Sequence, residues 1–307
     1  MPFSLSSIAL TVLLVACGPR VAPAPRTIPL RADEAEELVR NVEQELAETS
    51  PPTELDHPES LDDVLRILQS DRIDLFSVGI EQADALGGVE GAALAAQLEF
   101  SWGEGQRVVS DVLVQAAAQV EAALGRTSSR RGIGARRRRL AEDERRAREA
   151  VASSRRLAEA LAIVAERHIS QGAERTRALF DANREHYLSY RLAADFYRLE
   201  EDWERFDASI VALEERRPDS TGLKFLRGAA ALRRSEDAAQ AMQHLRGALE
   251  DDPQFTRAQV FLLASQEALP DVKRELDALR VLSPYHQLVV WAGPLLEQGY
   301  VPFADES

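Results

Sequence analysis

The sequence predicts an all-α fold in which helical hairpins stack as a repeat solenoid behind an N-terminal extension. Three observations carry that reading. From Asp33 onward, apolar and alanine positions recur every three or four residues, the spacing that lines one face of a helix. Residue-by-residue alternation, the mark of a half-buried strand, is almost missing. Prolines at Pro218, Pro253 and Pro284 each close a helical segment, at spacings of 35 and 31 residues. A period of about 34 residues with a terminal proline suggests helix-turn-helix units. With 45% hydrophobic residues over 307 positions, the chain has enough apolar material for a packed core.

The first element is Ile8–Ala16, an apolar run without a charge. It is too short to span a bilayer and the right length for the apolar core of a signal peptide. It ends Leu14-Val15-Ala16-Cys17, with an aliphatic residue three before the cysteine and a small one just before it. This tetrad resembles the bacterial lipobox. The resemblance implies that residues 1–16 are a removed signal peptide and that Cys17 becomes the mature N-terminus, acylated on sulfur and usually on its amine as well. Two or three acyl chains, at about 0.8 kcal/mol per buried methylene, anchor stably where one does not. Gly18 follows where similar lipoproteins retained at the inner membrane carry Asp, which implies the periplasmic face of the outer membrane. The alternatives are a secreted protein whose Cys17 is discarded, or a buried thiol acting as a small hydrophobe. Cys17 is the only cysteine, so under the anchor reading packing alone must hold the exported chain together.

Residues 17–32 follow as a tether, since "GPRVAPAPRTIPL" has four prolines in thirteen positions and proline fixes φ and lacks a donor. A helical domain is then expected over 33–186. It opens with Leu38, Val42 and Leu46 on one helical face and is broken by the prolines of "TSPPTELDHP". Ser60 and Asp63 form a capping box that starts the next helix. Helices are expected near 73–85, 90–102, 106–124, 141–170 and 174–199, and then near 202–216, 221–233, 236–250, 255–268, 271–282 and 286–298.

Residues 187–286 carry the repeats. The middle unit, "GLKFLRGAAALRRSEDAAQAMQHLRGALEDDP", resembles a tetratricopeptide repeat. Phe225, Gly228, Ala229 and Leu232 take the family's first-helix positions, Ala241, Leu245 and Ala248 the second-helix positions, and Pro253 the close. Small residues let two helices cross tightly while Leu and Phe fill the gaps beside them. The unit closing at Pro218 has Phe206 where the family has a small residue, and the unit closing at Pro284 is short in its middle turn. The resemblance covers about a third of the chain and implies a curved solenoid with a concave face. Residues 287–307, apolar on several sides, are expected to include a helix that caps the last repeat.

Charge is unevenly spread. The chain carries −14 overall, but from Arg126 to Arg156 twelve arginines and four acids give +8, leaving −22 on the remainder. The acidic balance excludes a general nucleic-acid binder, which needs a basic face. Six arginines stand out in this segment: Arg130, Arg131, Arg136, Arg137, Arg138 and Arg139. They either contact anionic lipid or an acidic partner, or form the solvated entry to a helix whose acids pair at i,i+3 and i,i+4.

Catalytic and metal motifs are missing. The histidines His57, His168, His186, His244 and His286 have no metal-ligand spacing, and there is no GxSxG or Walker loop. "GGVEG" at 87–91 reads as an interhelix turn, and Glu200, Glu201, Asp202 and Glu204 as a solvated turn. Trp102, Trp203, Tyr190 and Tyr197 either line a ligand groove or fill between helices. No enzyme, cofactor or metal is expected. The expectation is a bacterial envelope scaffold or assembly factor that binds another periplasmic polypeptide in its solenoid groove. The alternative is a lipoprotein resembling the T-component of TRAP-type transporters, binding a small ligand beside a substrate-binding partner.

Overall fold

A computed structural model describes residues 29–127, 135–234, 238–266 and 268–297. Among the described residues every regular element is helical. The first three α-helices are α1 (Ala32–Thr49), α2 (Leu61–Ser70) and α3 (Phe76–Leu86). A capping box starts α2 where the sequence places it: the Asp63 N–H donates to Ser60 Oγ at 3.2 Å, and the Ser60 N–H donates to Asp63 Oδ2 at 3.0 Å. Gly87 and Gly88, with φ of 67° and 73°, then turn the chain, as a residue without Cβ can.

Two long helices follow, α4 (Gly88–Thr127) and α5 (Ala135–Ala182). They run antiparallel: Arg107 pairs with Glu166 at 2.6 Å, Ser110 Oγ donates to Ala158 O at 2.8 Å, and Glu121 meets Arg155 at 2.5 Å. The sequence suggests two helices in place of α4, with a gap at 103–105, and a break after 170 in α5. Glycines at both places permit close packing instead. A Cβ on Gly103 would fall 2.7 Å from Ala165 O, and one on Gly172 would fall 2.7 Å from the Phe100 ring. Each glycine is a point of close approach within a continuous helix, and the chain breaks only after Ala182. The arginine run Arg136, Arg137, Arg138 and Arg139, expected to lead from a loop into a long helix, lies inside α5, which opens at Ala135 rather than near 141.

Three consecutive pairs complete the chain: α6 (Tyr187–Leu199) with α7 (Trp203–Arg216), α8 (Thr221–Arg233) with α9 (Ala238–Asp251), and α10 (Thr256–Ala264) with α11 (Leu269–Leu282). Each first helix also touches the preceding pair: α8 meets α6 and α7, and α10 meets α8 and α9. At the α8–α9 crossing, Phe225, Gly228, Ala229, Ala241, Leu245 and Ala248 are buried and Leu232 is half-buried. A Cβ on Gly228 would meet Leu245 Cγ at 2.8 Å and Ala241 O at 3.0 Å. Pro218, Pro253 and Pro284 lie in the turns after α7, α9 and α11. The large Phe206 is buried on α7 with Ile210 and Leu213.

Every residue of α10 is buried, because its two sides face two cores. Val260 and Leu263 join the main core with residues of α1 to α5, while Ala258, Phe261 and Leu262 join a second core with α6 to α9. The C-terminal segment, a π-helical turn (Leu288–Ala292) and α12 (Gly293–Leu296), contacts α11. It does more than cap that hairpin, since Leu288, Trp291, Leu295 and Leu296 enter the main core and the segment contacts α4. The main core draws residues from both sides of the expected divisions at 186/187 and 286/287.

Gly228→Leu or Ala241→Leu should overpack the α8–α9 crossing and cost roughly 1–3 kcal/mol. Thermal unfolding followed by circular dichroism measures this, and an unshifted midpoint would contradict the close crossing.

Candidate functional site

The densest polar constellation joins α4, α6 and α10. Glu104 lies midway along α4 between Gly103 and Gly105, Asp195 and Arg198 are one turn apart on α6, and Arg257 opens α10. All four side chains are buried. Glu104 accepts from Arg198 Nη1 at 2.6 Å and from Arg257 Nη2 at 2.7 Å. Asp195 accepts from Arg198 Nη2 at 2.7 Å and from Arg257 Nη1 at 2.8 Å. The four formal charges cancel.

Aromatic faces enclose the quartet. The Arg257 guanidinium lies 4.8 Å from the Phe225 centroid, and that of Arg198 lies 5.3 Å from Phe261. Burial pushes both carboxyls up, but the two guanidinium groups outweigh it and hold Glu104 and Asp195 below their ordinary values. Burial likewise pulls the arginines down, and the carboxylates hold Arg198 and Arg257 above theirs. The quartet is therefore fully charged at neutral pH, with no proton poised for transfer; its chemistry is that of a clamp. Nearby, burial lowers the pKa of half-buried Arg191 and Arg233.

A second polar group flanks α4. His168 Nδ1 lies 2.7 Å from Glu99 Oε2, and its ring stacks on Trp102 with centroids 4.0 Å apart. Trp102 Nε1 and Gln106 Nε2 both donate to Glu43, at 2.9 and 3.0 Å, and burial raises the Glu43 pKa despite those donors. A third group closes the C-terminus onto α2. The Leu288 N–H donates to His286 Nδ1 at 3.0 Å, which leaves the Nε2 proton for Asp71, 2.8 Å away. Among the described residues no group of three or more His, Cys, Asp or Glu could hold a metal ion.

The remaining sequence candidates are dispersed. His57 is exposed, and His186 caps α6, with the Leu188 N–H donating to its Nδ1 at 3.3 Å. His244 is half-buried and its pKa is lowered by burial and by Arg227. Trp102, Trp203, Tyr190 and Tyr197 are half-buried and packed against the cores. Arg216 covers Tyr190 at 4.2 Å and Arg234 covers Trp203 at 4.7 Å. Leu14, Val15, Ala16, Cys17, Arg130 and Arg131 lie outside the described residues. Arg136, Arg137, Arg138 and Arg139 are described as backbone in the first turns of α5, so the contacts expected of their side chains also fall outside the description. The quartet escapes sequence reading, because Asp195 and Arg198 look like an ordinary i,i+3 pair and their partners lie far along the chain. Their place among Leu192, Ala193, Ala194 and Leu199, all buried, is the signal available in the sequence.

Compared with known proteins, the chain matches no family model, no curated protein and no solved structure.

Glu104→Gln should cost about 3–5 kcal/mol at neutral pH, because two buried guanidinium groups lose their shared carboxylate. The wild-type quartet also has an acid signature. Carboxylates with depressed folded pKa values contribute fully above the unfolded value near 4, and their contribution falls away as pH drops below it. Urea unfolding at neutral pH and at a series of pH values below about 4 reads both effects. Equal midpoints for wild type and Glu104→Gln at neutral pH would contradict the clamp.

Proposed function

We propose that the protein is a non-enzymatic, lipid-anchored envelope scaffold that binds another polypeptide, built on tetratricopeptide-like helical pairs. The observation that carries this reading is the succession α6–α7, α8–α9 and α10–α11, each first helix lying against the pair before it, with Gly228 at a tight crossing. The face of α6 and α10 that presents Asp195, Arg198 and Arg257 is covered by α4. That face is closed to a partner, so the scaffold reading moves the partner from the inner groove to the outer helices. There the second helices keep one side solvated, with Val211 on α7 57% exposed and Val281 on α11 87% exposed.

The lipobox tetrad and the proline-rich tether support the anchor. Among the described residues no helix is long and apolar enough to cross a membrane. In this reading attachment comes from acyl chains on Cys17, and the expected site is the periplasmic face of the outer membrane.

Two measurements test the halves of this reading. Cys17→Ser should leave the protein unprocessed or mislocalised in membrane fractionation, and the wild-type N-terminal peptide should carry acyl mass. An unchanged distribution with an unmodified Cys17 would remove the anchor. A photo-crosslinking residue at Val211 or Val281 should join the protein to one recurring envelope polypeptide in cells, and one at the buried Leu213 should not. Equal labelling at all three positions would remove the scaffold surface.

A further inference from the structure

Beyond the body of the protein, α4 and α5 continue as a two-helix arm. Up to Ala116 on α4, and from Leu157 on α5, the clustered apolar residues belong to cores they share with other helices of the body. Outside those limits Ala117, Val120, Leu124, Ala147 and Val151 form a small core drawn from these two helices alone. At about 1.5 Å per residue, the stretch from Ala135 to Arg156 is roughly 33 Å long.

At the base of the arm Arg155 pairs with Glu121 on α4 and Arg156 with Glu34 on α1. Arg145, Arg146 and Arg148 are neutralised within α5 by Glu149, Glu142 and Glu144, at 2.9, 2.7 and 2.5 Å. Ahead of them, four consecutive arginines, Arg136, Arg137, Arg138 and Arg139, stand at the start of α5, whose first turn contains no acid. The N-terminal end of a helix already carries partial positive charge, so cations there oppose the helix dipole. The helix dipole gives no reason for them there, and a fixed anionic surface would remove that penalty.

The chain before α1 shows which surface lies within reach. The Leu30 N–H donates to Glu159 Oε1 at 2.8 Å, and Glu34 lies 3.6 Å from Arg156. These contacts fix the tether's exit at the base of the arm. Residues 17–29, at about 3.1 Å per residue for a proline-rich segment, can reach roughly 40 Å. Tether and arm therefore have matching reach from one starting point.

We propose that the arginine end of this arm docks on the anionic lipid headgroups of the membrane that holds Cys17, giving the body a second point of attachment. The choice of a membrane as partner rests on the lipid-anchor reading; the charge-dependent contact can be measured without it.

The test uses the chain from Gly18 onward, so that neither an acyl chain nor the apolar run Ile8–Ala16 contributes. It is co-sedimented with phosphatidylcholine vesicles, with and without phosphatidylglycerol, across a salt series. Binding should favour the anionic vesicles and fall as salt rises, since exposed charges are screened over about 8 Å at physiological ionic strength. Converting Arg136, Arg137, Arg138 and Arg139 together to Glu should weaken it roughly tenfold or more, and converting them to Gln should weaken it less, with the helical circular dichroism signal retained. Equal binding to both vesicle types, or binding insensitive to salt, overturns the proposal whether or not the variants fold. Folded variants that bind like the parent overturn it too. Preference for poly-glutamate over anionic vesicles of equal charge overturns the membrane and assigns the arm to an acidic polypeptide instead. The acyl mass on Cys17 is read separately, so loss of the anchor and loss of the arm contact are distinguishable results.

Discussion

The shared carboxylate of Glu104 is the contact on which the arrangement of the other helices depends. From the middle of α4 it accepts from Arg198 on α6 and Arg257 on α10, and Asp195 closes the ring. Each charge left alone in the interior would cost several kcal/mol, so the three helices must meet in one register or leave a charge unpaired. Guanidinium groups make the condition directional, because their planar forks fit carboxylates in few orientations. Apolar burial supplies most of the energy of folding; the quartet selects which faces meet. Phe225 brings α8 into the same group by lying under both guanidinium groups.

Glu104 can reach these partners because its neighbours on α4 are glycines. A Cβ on Gly105 would clash with the Gln287 side-chain amide and force that side chain aside, and Gly103 admits the backbone of α5 on another side. Glycine inside a helix is about 1 kcal/mol less favourable than alanine. Close packing on two sides of α4 offsets that cost. The hexapeptide Ser101–Gln106 thus behaves as a hub. Trp102 and Gln106 reach Glu43 on α1, Gly103 meets α5, Glu104 meets α6 and α10, and Gly105 meets Gln287.

Much of the helical pattern was legible in the chain, and the reasons are local. The Ser60–Asp63 capping box, the Gly87–Gly88 turn and the small residues of the α8–α9 crossing each act through near neighbours. The lengths of α4 and α5 were not legible, because Gly103 and Gly172 read locally as interruptions, and only Ala165, Ile169 and Phe100 on the facing helices show them to be approaches. The quartet was hidden for a similar reason. Arg257 sits at the start of a short apolar run, and nothing in that run says that Glu104, 153 residues earlier, is its partner. The tail's role was half legible. Its apolarity pointed to burial, but its contact with α4 is a property of the assembled core.

α4 covers the face of α6 and α10 that carries Asp195, Arg198 and Arg257. On the proposed scaffold reading, that covering exchanges an adjustable groove for rigidity and leaves recognition to the outer helices and projections. Charge sorts those surfaces. The residues outside 126–156 carry −22 and the arginine segment carries +8. An anionic surface therefore repels most of the molecule and attracts one segment of it. If the body is tethered as proposed, such an asymmetry would orient it without any shape complementarity, because rotations that bring the acidic surface toward the anionic plane would raise the energy while the arm would lower it. α7 and α11 belong to that acidic remainder, so under the same proposal the orientation that satisfies the arm would also tend to hold them away from the anionic plane.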